Sequence, residues 1–201
     1  PSVLDQTEGN AATAYRALIE TWEARDDHDA QEKQLSDWRD LSVDALPRDE
    51  VERVLAAYPL EALHNAARME DCDWDLPIRT EGFDLILPPL NIMKSFARAI
   101  ALEARLQIRA GDYAGAIESL QTGFAMADHV GRPPLLICSL VDISIAETML
   151  DVVETWIDTP DSPNLYWALA ALPRPFAPMD RAMQWERSVL TISLPSLRKV
   201  A

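Results

Sequence analysis

The residues able to do chemistry are few and scattered along the chain. Glu61-x-x-His64 sets a carboxylate and an imidazole on one helical face. Di-iron bundles use that motif twice, with further glutamates on partner helices, and here it occurs once. Metal binding needs His, Cys and carboxylates that converge. Asp26-Asp27-His28-Asp29 and Asp128-His129 read instead as local acid–histidine contacts. Cys72 sits between Asp71 and Asp73, and neighbouring anions raise a thiol pKa, which opposes a catalytic thiolate. It is expected to be a buried structural cysteine beside Trp74. No G-x-S-x-G is present, and the six glycines never cluster into a phosphate-cradling loop. No catalytic residue, metal ligand or cofactor is assigned.

A different constellation suits docking. Glu147, Asp151, Glu154 and Asp158 recur at i, i+4, i+7 and i+11, an acidic ridge on one helix face. Like charges at that spacing cost about 0.2–0.5 kcal/mol per pair. Asp158 also falls near the negative helix end, and no Lys or Arg occurs between Arg132 and Arg174. The ridge reads as a strip for a basic protein partner or a cation. Its competitor is a solvated outer face neutralised by arginines from elsewhere. Tyr166, Trp167 and Trp185 could line a groove, although aromatics at helical spacing also build cores.

Composition bounds what can carry these residues. A chain of 201 residues suits one domain and buries about 70% of its unfolded surface. Asp and Glu number 33 against 18 Lys and Arg, a net charge of −15 that repels nucleic acid and anionic membrane surfaces. Cys72 and Cys138 are too few for a disulfide framework, and two buried thiols are expected over one bridge. The apolar run "PPLLICSLVDISIAETML" contains Asp142 and Glu147, so it predicts a core helix and no membrane insertion. The chain starts at Pro1 rather than Met, so any export signal would have been lost with the natural N-terminus.

A period near 3.6 runs through almost every segment, and no alternating strand is evident. Asn10 caps a first helix with Ala11, Tyr15, Leu18 and Trp22 on one face. A short helix carries Leu35 and Trp38. Pro47 opens another, with Val51, Val54, Leu55 and Tyr58 inward, and one from about 60 to 68 follows. Residues 71–90 contain three prolines and a glycine, which exclude a continuous helix. Trp74, Ile78, Phe83, Leu85, Ile86 and Leu87 make that segment too apolar for a free linker. It is expected to press onto the helices and pin the two halves together. Helices resume at 90–110, 113–130 and 134–158, then a short one after Ser162-Pro163, and a last at about 179–192, after the break "PRPFAP".

Within "IRAGDYAGAIESLQTGFAMADHV", Gly111 stands where a left-handed residue ends a helix. Ala97, Ile100, Ala101, Ala104 and Ile108 line the helix before it, and Tyr113 is expected to pack back across the turn. Ala116, Gly123 and Ala127 are small enough to let the second helix approach closely. Residues 97–130 thus resemble a tetratricopeptide repeat. Two positions depart from that pattern: Glu103, where leucine is usual, and His129, where proline often closes the unit. The resemblance implies stacked neighbours. The 134–158 helix would offer Leu136, Leu140, Ile143, Leu150, Val153 and Ile157, and "NAATAYRALIE" would be a degenerate helix of another unit. A right-handed α/α superhelix follows, with an irregular helical bundle as the alternative. "AARMEDCDWDLP", "EGFDLILPPL" and "PNLYWALAALPRP", in that order, are similar to an uncharacterised helical family of planctomycete bacteria that reads as exported. That resemblance spans roughly residues 60–182 and implies fold and export, not mechanism.

The expectation is one all-α domain over residues 1–201, with 1–45 given a peripheral or mobile place. It would serve as a non-catalytic protein–protein interaction or scaffold module outside the cytoplasm, docking an unknown basic partner through Glu147, Asp151, Glu154 and Asp158. One alternative is a small-molecule-binding protein, with a pocket behind residues 71–90 lined by Trp74 or Trp167. The other is a metal-dependent enzyme around Glu61 and His64.

Overall fold

The computed structural model describes residues 6–78, 87–170 and 179–193, without the side chains of Trp167 and residues 189–193. Phe83, Leu85 and Ile86 and the "PRPFAP" break lie outside the described residues. What is described is mostly helical, in the order α1 (Ala11–Glu23), α2 (His28–Trp38), α3 (Arg48–Leu55), α4 (Leu60–Ala67), α5 (Leu90–Ala110), α6 (Tyr113–Gly131), α7 (Leu136–Asp158), α8 (Tyr166–Ala170) and α9 (Asp180–Ser193).

Asn10 caps α1 as its sequence predicts, its side-chain oxygen accepting from the Ala12 amide at 3.0 Å. The same side chain reaches across the chain. It accepts from the Asp73 amide and donates to the Asp73 carbonyl, both at 2.9 Å. That clamp holds a feature the periodicity did not reveal, a parallel pair of short strands, β1 (Thr7–Asn10) and β2 (Met69–Asp71). Four and three residues, mostly polar and exposed, are too short to show an alternating pattern.

α5 is the central rod. Met93, Phe96, Ala99, Ile100 and Ala104 are all fully buried, and they spread around the helix rather than along one stripe. The cause is its neighbours: α2, α3, α4, α6 and α7 all pack on it. Trp22, Tyr58 and Phe96 join α1, the end of α3 and α5, with ring centroids 4.2 Å and 5.6 Å from Trp22. Tyr15, Trp22, Leu35 and Trp38 all belong to the core, so α1 and α2 are built into the domain. Two α5 arginines fasten the chain after α2. Arg105 donates to the carbonyls of Trp38, Arg39 and Leu41, and Arg109 to those of Val43 and Leu46. Guanidinium groups thereby satisfy carbonyls that a helix C-terminus leaves open.

Gly111 adopts φ 75°, and the turn closes as a Schellman motif. The Asp112 amide reaches the Gln107 carbonyl at 2.9 Å, and the Gly111 amide reaches that of Ile108 at 3.0 Å. Asp112 then caps α6 through the Gly115 amide, and α6 folds back along α5. The small residues of α6 do more than admit α5. A Cβ on Gly123 would collide with Met149 Sδ and lie 2.6 Å from Met149 Cγ, so this glycine lets α7 approach. Tyr113 likewise packs forward on Trp156, with centroids 4.9 Å apart.

The face of α7 differs from the sequence expectation. Val141, Ile145, Met149, Val152 and Trp156 are buried, whereas Leu140, Leu150 and Ile157 are 48%, 39% and 63% exposed. Leu136 and Ile143 are half-buried. Both faces are apolar, so periodicity alone could not choose the packing side. The buried side carries the larger contiguous set, ending in Trp156, whose indole N–H donates to the Pro163 carbonyl at 2.7 Å.

Candidate functional site

His64 does not pair with Glu61. Glu61 is exposed on α4, while His64 turns inward between α5 and α6. Its Nδ1 lies 2.7 Å from Thr122 Oγ1 and its Nε2 lies 2.9 Å from Glu103 Oε2. Ser119 Oγ lies 3.1 Å from the same Glu103 oxygen and 2.9 Å from Gln107 Oε1, with one proton for two acceptors. Hydroxyl, imidazole and carboxylate thus stand in the order of a catalytic triad. Thr122 and Ser119 are completely buried between the helices. Both ring nitrogens are engaged, leaving no lone pair for a metal, and no group of three or more potential ligands converges among the described residues. The network ties α4, α5 and α6 together. It also gives the half-buried Glu103 carboxylate two partners, His64 and Ser119.

A second polar node locks the segment after β2. Trp74 Nε1 donates to the His129 carbonyl at 2.8 Å, and Cys72 Sγ points at the same oxygen from 3.7 Å. Tyr15 stacks on Trp74 at 6.1 Å, and its hydroxyl meets His129 Nδ1 at 3.1 Å. Burial pushes the Cys72 thiol up to about 12 and the Cys138 thiol up to about 11; both cysteines are free and buried. Burial likewise pushes His129 down to about 4, helped by the Arg132 charge. Asp128 pairs with Arg132 at 3.1 Å, not with His129. At the surface, His28 accompanies Asp29 at 3.2 Å, and Arg25 holds Asp27.

Asp142 is a buried acid that the sequence signals poorly, one carboxylate within an apolar helix. It is 7% exposed, and a Cβ on Gly131 would lie 2.6 Å from its Oδ2. Burial, with the Asp128 charge nearby, pushes it up to about 6. Arg105 is a buried cation on α5, 8% exposed, and burial lowers its pKa.

The acidic quartet lies together on the outer side of α7. Glu147, Asp151, Glu154 and Asp158 are all exposed, opposite the buried stripe. One arginine does arrive from elsewhere, with Arg39 Nη2 3.9 Å from Asp151 Oδ2. Asp151 is the one member of the four with an ion-pair partner among the described residues. Leu140 is exposed on that side and Leu150 and Ile157 are exposed along its flank, so the acidic ridge is bordered by apolar residues. Of the proposed aromatic groove, Tyr166 is 64% exposed and Trp185 half-buried, while the Trp167 side chain lies outside the described residues.

Tyr15 and His129 pack around the Trp74 ring. A cavity of about 310 Å³ lies beside Leu76, Pro88 and Pro89 against α1. A larger one, about 670 Å³, opens between residues 41–44, the Gly111 turn and the end of α7, with Arg105, Arg109, Tyr113 and Asp158 in its wall. No helix among the described residues is long and apolar enough to cross a membrane. Comparisons with protein-family models, curated proteins and solved structures returned no match.

Proposed function

We propose that this chain is a non-catalytic interaction module that docks a basic protein partner on the outer face of α7. One observation carries the reading: α7 buries the Met149–Trp156 side and presents Glu147, Asp151, Glu154 and Asp158 on the opposite side, interleaved with exposed leucine and isoleucine. Exposed apolar residues rimmed by charge mark interaction surfaces. The polar groups that resemble catalytic sets are buried between helices, which suits a structural role. The Schellman turn, the antiparallel α5–α6 pair and α7 beside it support a tetratricopeptide-like stack as the finer description of the fold. Kinship with the exported planctomycete family, and a place outside the cytoplasm, belong to the same proposal.

The test is a titration of a labelled lysine- and arginine-rich peptide at low salt. Wild-type protein should bind it with strong salt dependence, and the E147Q/D151N/E154Q/D158N variant should bind at least tenfold more weakly. Equal affinity for both proteins contradicts the reading. The cavity of about 670 Å³ favours a second reading, a small-molecule site, since its volume is in the range of ligand pockets. Ligand-induced shifts at Tyr113 in a fragment screen by NMR would support that reading, and a screen that leaves Tyr113 unmoved would remove it.

A further inference from the structure

We infer that the occupant of the α7 outer face is itself an amphipathic helix, apolar along one stripe and basic beside it, and not an extended basic segment. This rests on the docking reading above and specifies its partner. The first argument is spacing. Leu136, Leu140 and Ile143 lie on the same side of α7 as the acidic quartet and Leu150 and Ile157 flank it, a face about 33 Å long at about 1.5 Å per residue. A basic strand would meet the acids and leave Leu140 at 48% and Ile157 at 63% exposure in water. A second helix laid along α7 covers both sets at once, in the manner of a helix in a groove.

The second argument is polarity along the axis. The first two turns of the face are apolar, and acids enter only from Glu147 onward. The last turn of α7 contains no basic residue of its own. Cations at one end of the partner therefore meet Glu154, Asp158 and the negative helix end together. The third argument excludes pairing of α7 with α7 of a second copy. A parallel second copy sets quartet against quartet, and an antiparallel copy in full register sets Asp158, Glu154 and Asp151 on Leu136, Leu140 and Ile143. Neither supplies a cation, and Arg39 reaches only the Asp151 edge.

Two peptides of about six turns, equal in lysine content, test the inference. One carries leucines at helical spacing, and the other has glutamine in their place. The leucine peptide should bind at least tenfold tighter and gain helical circular dichroism on binding. The L140Q/I157Q protein should lose that advantage while still binding the glutamine peptide as wild type does. Neutralising Glu20 and Glu23 on α1 should change neither affinity. Equal affinity of both peptides, lost together in the quartet variant, overturns the helical partner while leaving the acidic strip standing. No binding of either peptide overturns the docking reading as well.

Discussion

Gly123→Ala measures how closely α6 and α7 approach. In an exposed helix interior the change would stabilise by about 1 kcal/mol through backbone propensity. Here the new methyl would overlap Met149 Sδ and sit 2.6 Å from Cγ and 2.9 Å from Cε. Met149 is completely buried, so its whole side chain must repack. Overpacking of this kind costs about 1–3 kcal/mol, and the net expectation is a loss of about 0–2 kcal/mol. Met149→Ala alone should cost about 2–5 kcal/mol by leaving a cavity. In that background the overlap is gone, and Gly123→Ala should return up to about 1 kcal/mol. The two backgrounds should therefore differ by about 1–3 kcal/mol, well beyond the additivity error of about 0.5 kcal/mol. Urea unfolding followed by circular dichroism at neutral pH reads all four proteins. Equal effects of Gly123→Ala in both backgrounds would refute the α6–α7 contact.

Three further expectations follow from the buried polar groups and the hairpin. His129 is held at about 4 against an ordinary 6.5, so the unfolded chain takes the proton first, and stability falls by about 3 kcal/mol as pH drops from 6.5 to 4. Asp142, held at about 6 against 3.8, takes its proton first in the folded chain and adds about 3 kcal/mol over nearly the same window. The two offset each other; Asp142→Asn should be more stable at pH 7.5 and then lose stability toward pH 4. Identical pH profiles for the two proteins would rule out a buried charge at residue 142. Arg105→Met should cost about 3 kcal/mol, since the carbonyls of Trp38, Arg39 and Leu41 lose a charged donor, and it should speed hydrogen exchange in α2. Unchanged exchange in α2 would show that this clamp does not hold it. Ala116→Leu, at a fully buried α6 position, should destabilise by about 1–3 kcal/mol in the same urea assay. A change within error would mean the helix has room there.

Periodicity and punctuation made the helices legible. Asn10, Pro47 and Gly111 mark ends that the structure places within a residue or so, and each does so through local chemistry: a cap, a fixed φ, a left-handed turn. The buried face of α7 was not legible. Leu140, Leu150 and Ile157 form as good an apolar stripe as Val141, Ile145, Met149 and Trp156, and only the tertiary partners decide between them. Gly123 illustrates the same limit, since a small residue announces a close approach without saying which helix makes it. The acidic quartet was legible because four acids at helical spacing carry their own geometry. Its apolar companions Leu140, Leu150 and Ile157 have the periodicity of a core stripe and are exposed. His64 was singled out for Glu61, three residues away, whereas its partners are Glu103 and Thr122 on other helices. Nothing in local spacing encodes such a pairing.

The account depends most on which side of α7 faces water, and thiol labelling of the native protein reads that directly. Leu140→Cys and Ile157→Cys should react at the rate of an unfolded control, while Ile145→Cys should stay as protected as the native Cys72 and Cys138. Rapid labelling at residue 145 with protection at 140 and 157 would contradict the orientation of α7, and with it the docking face.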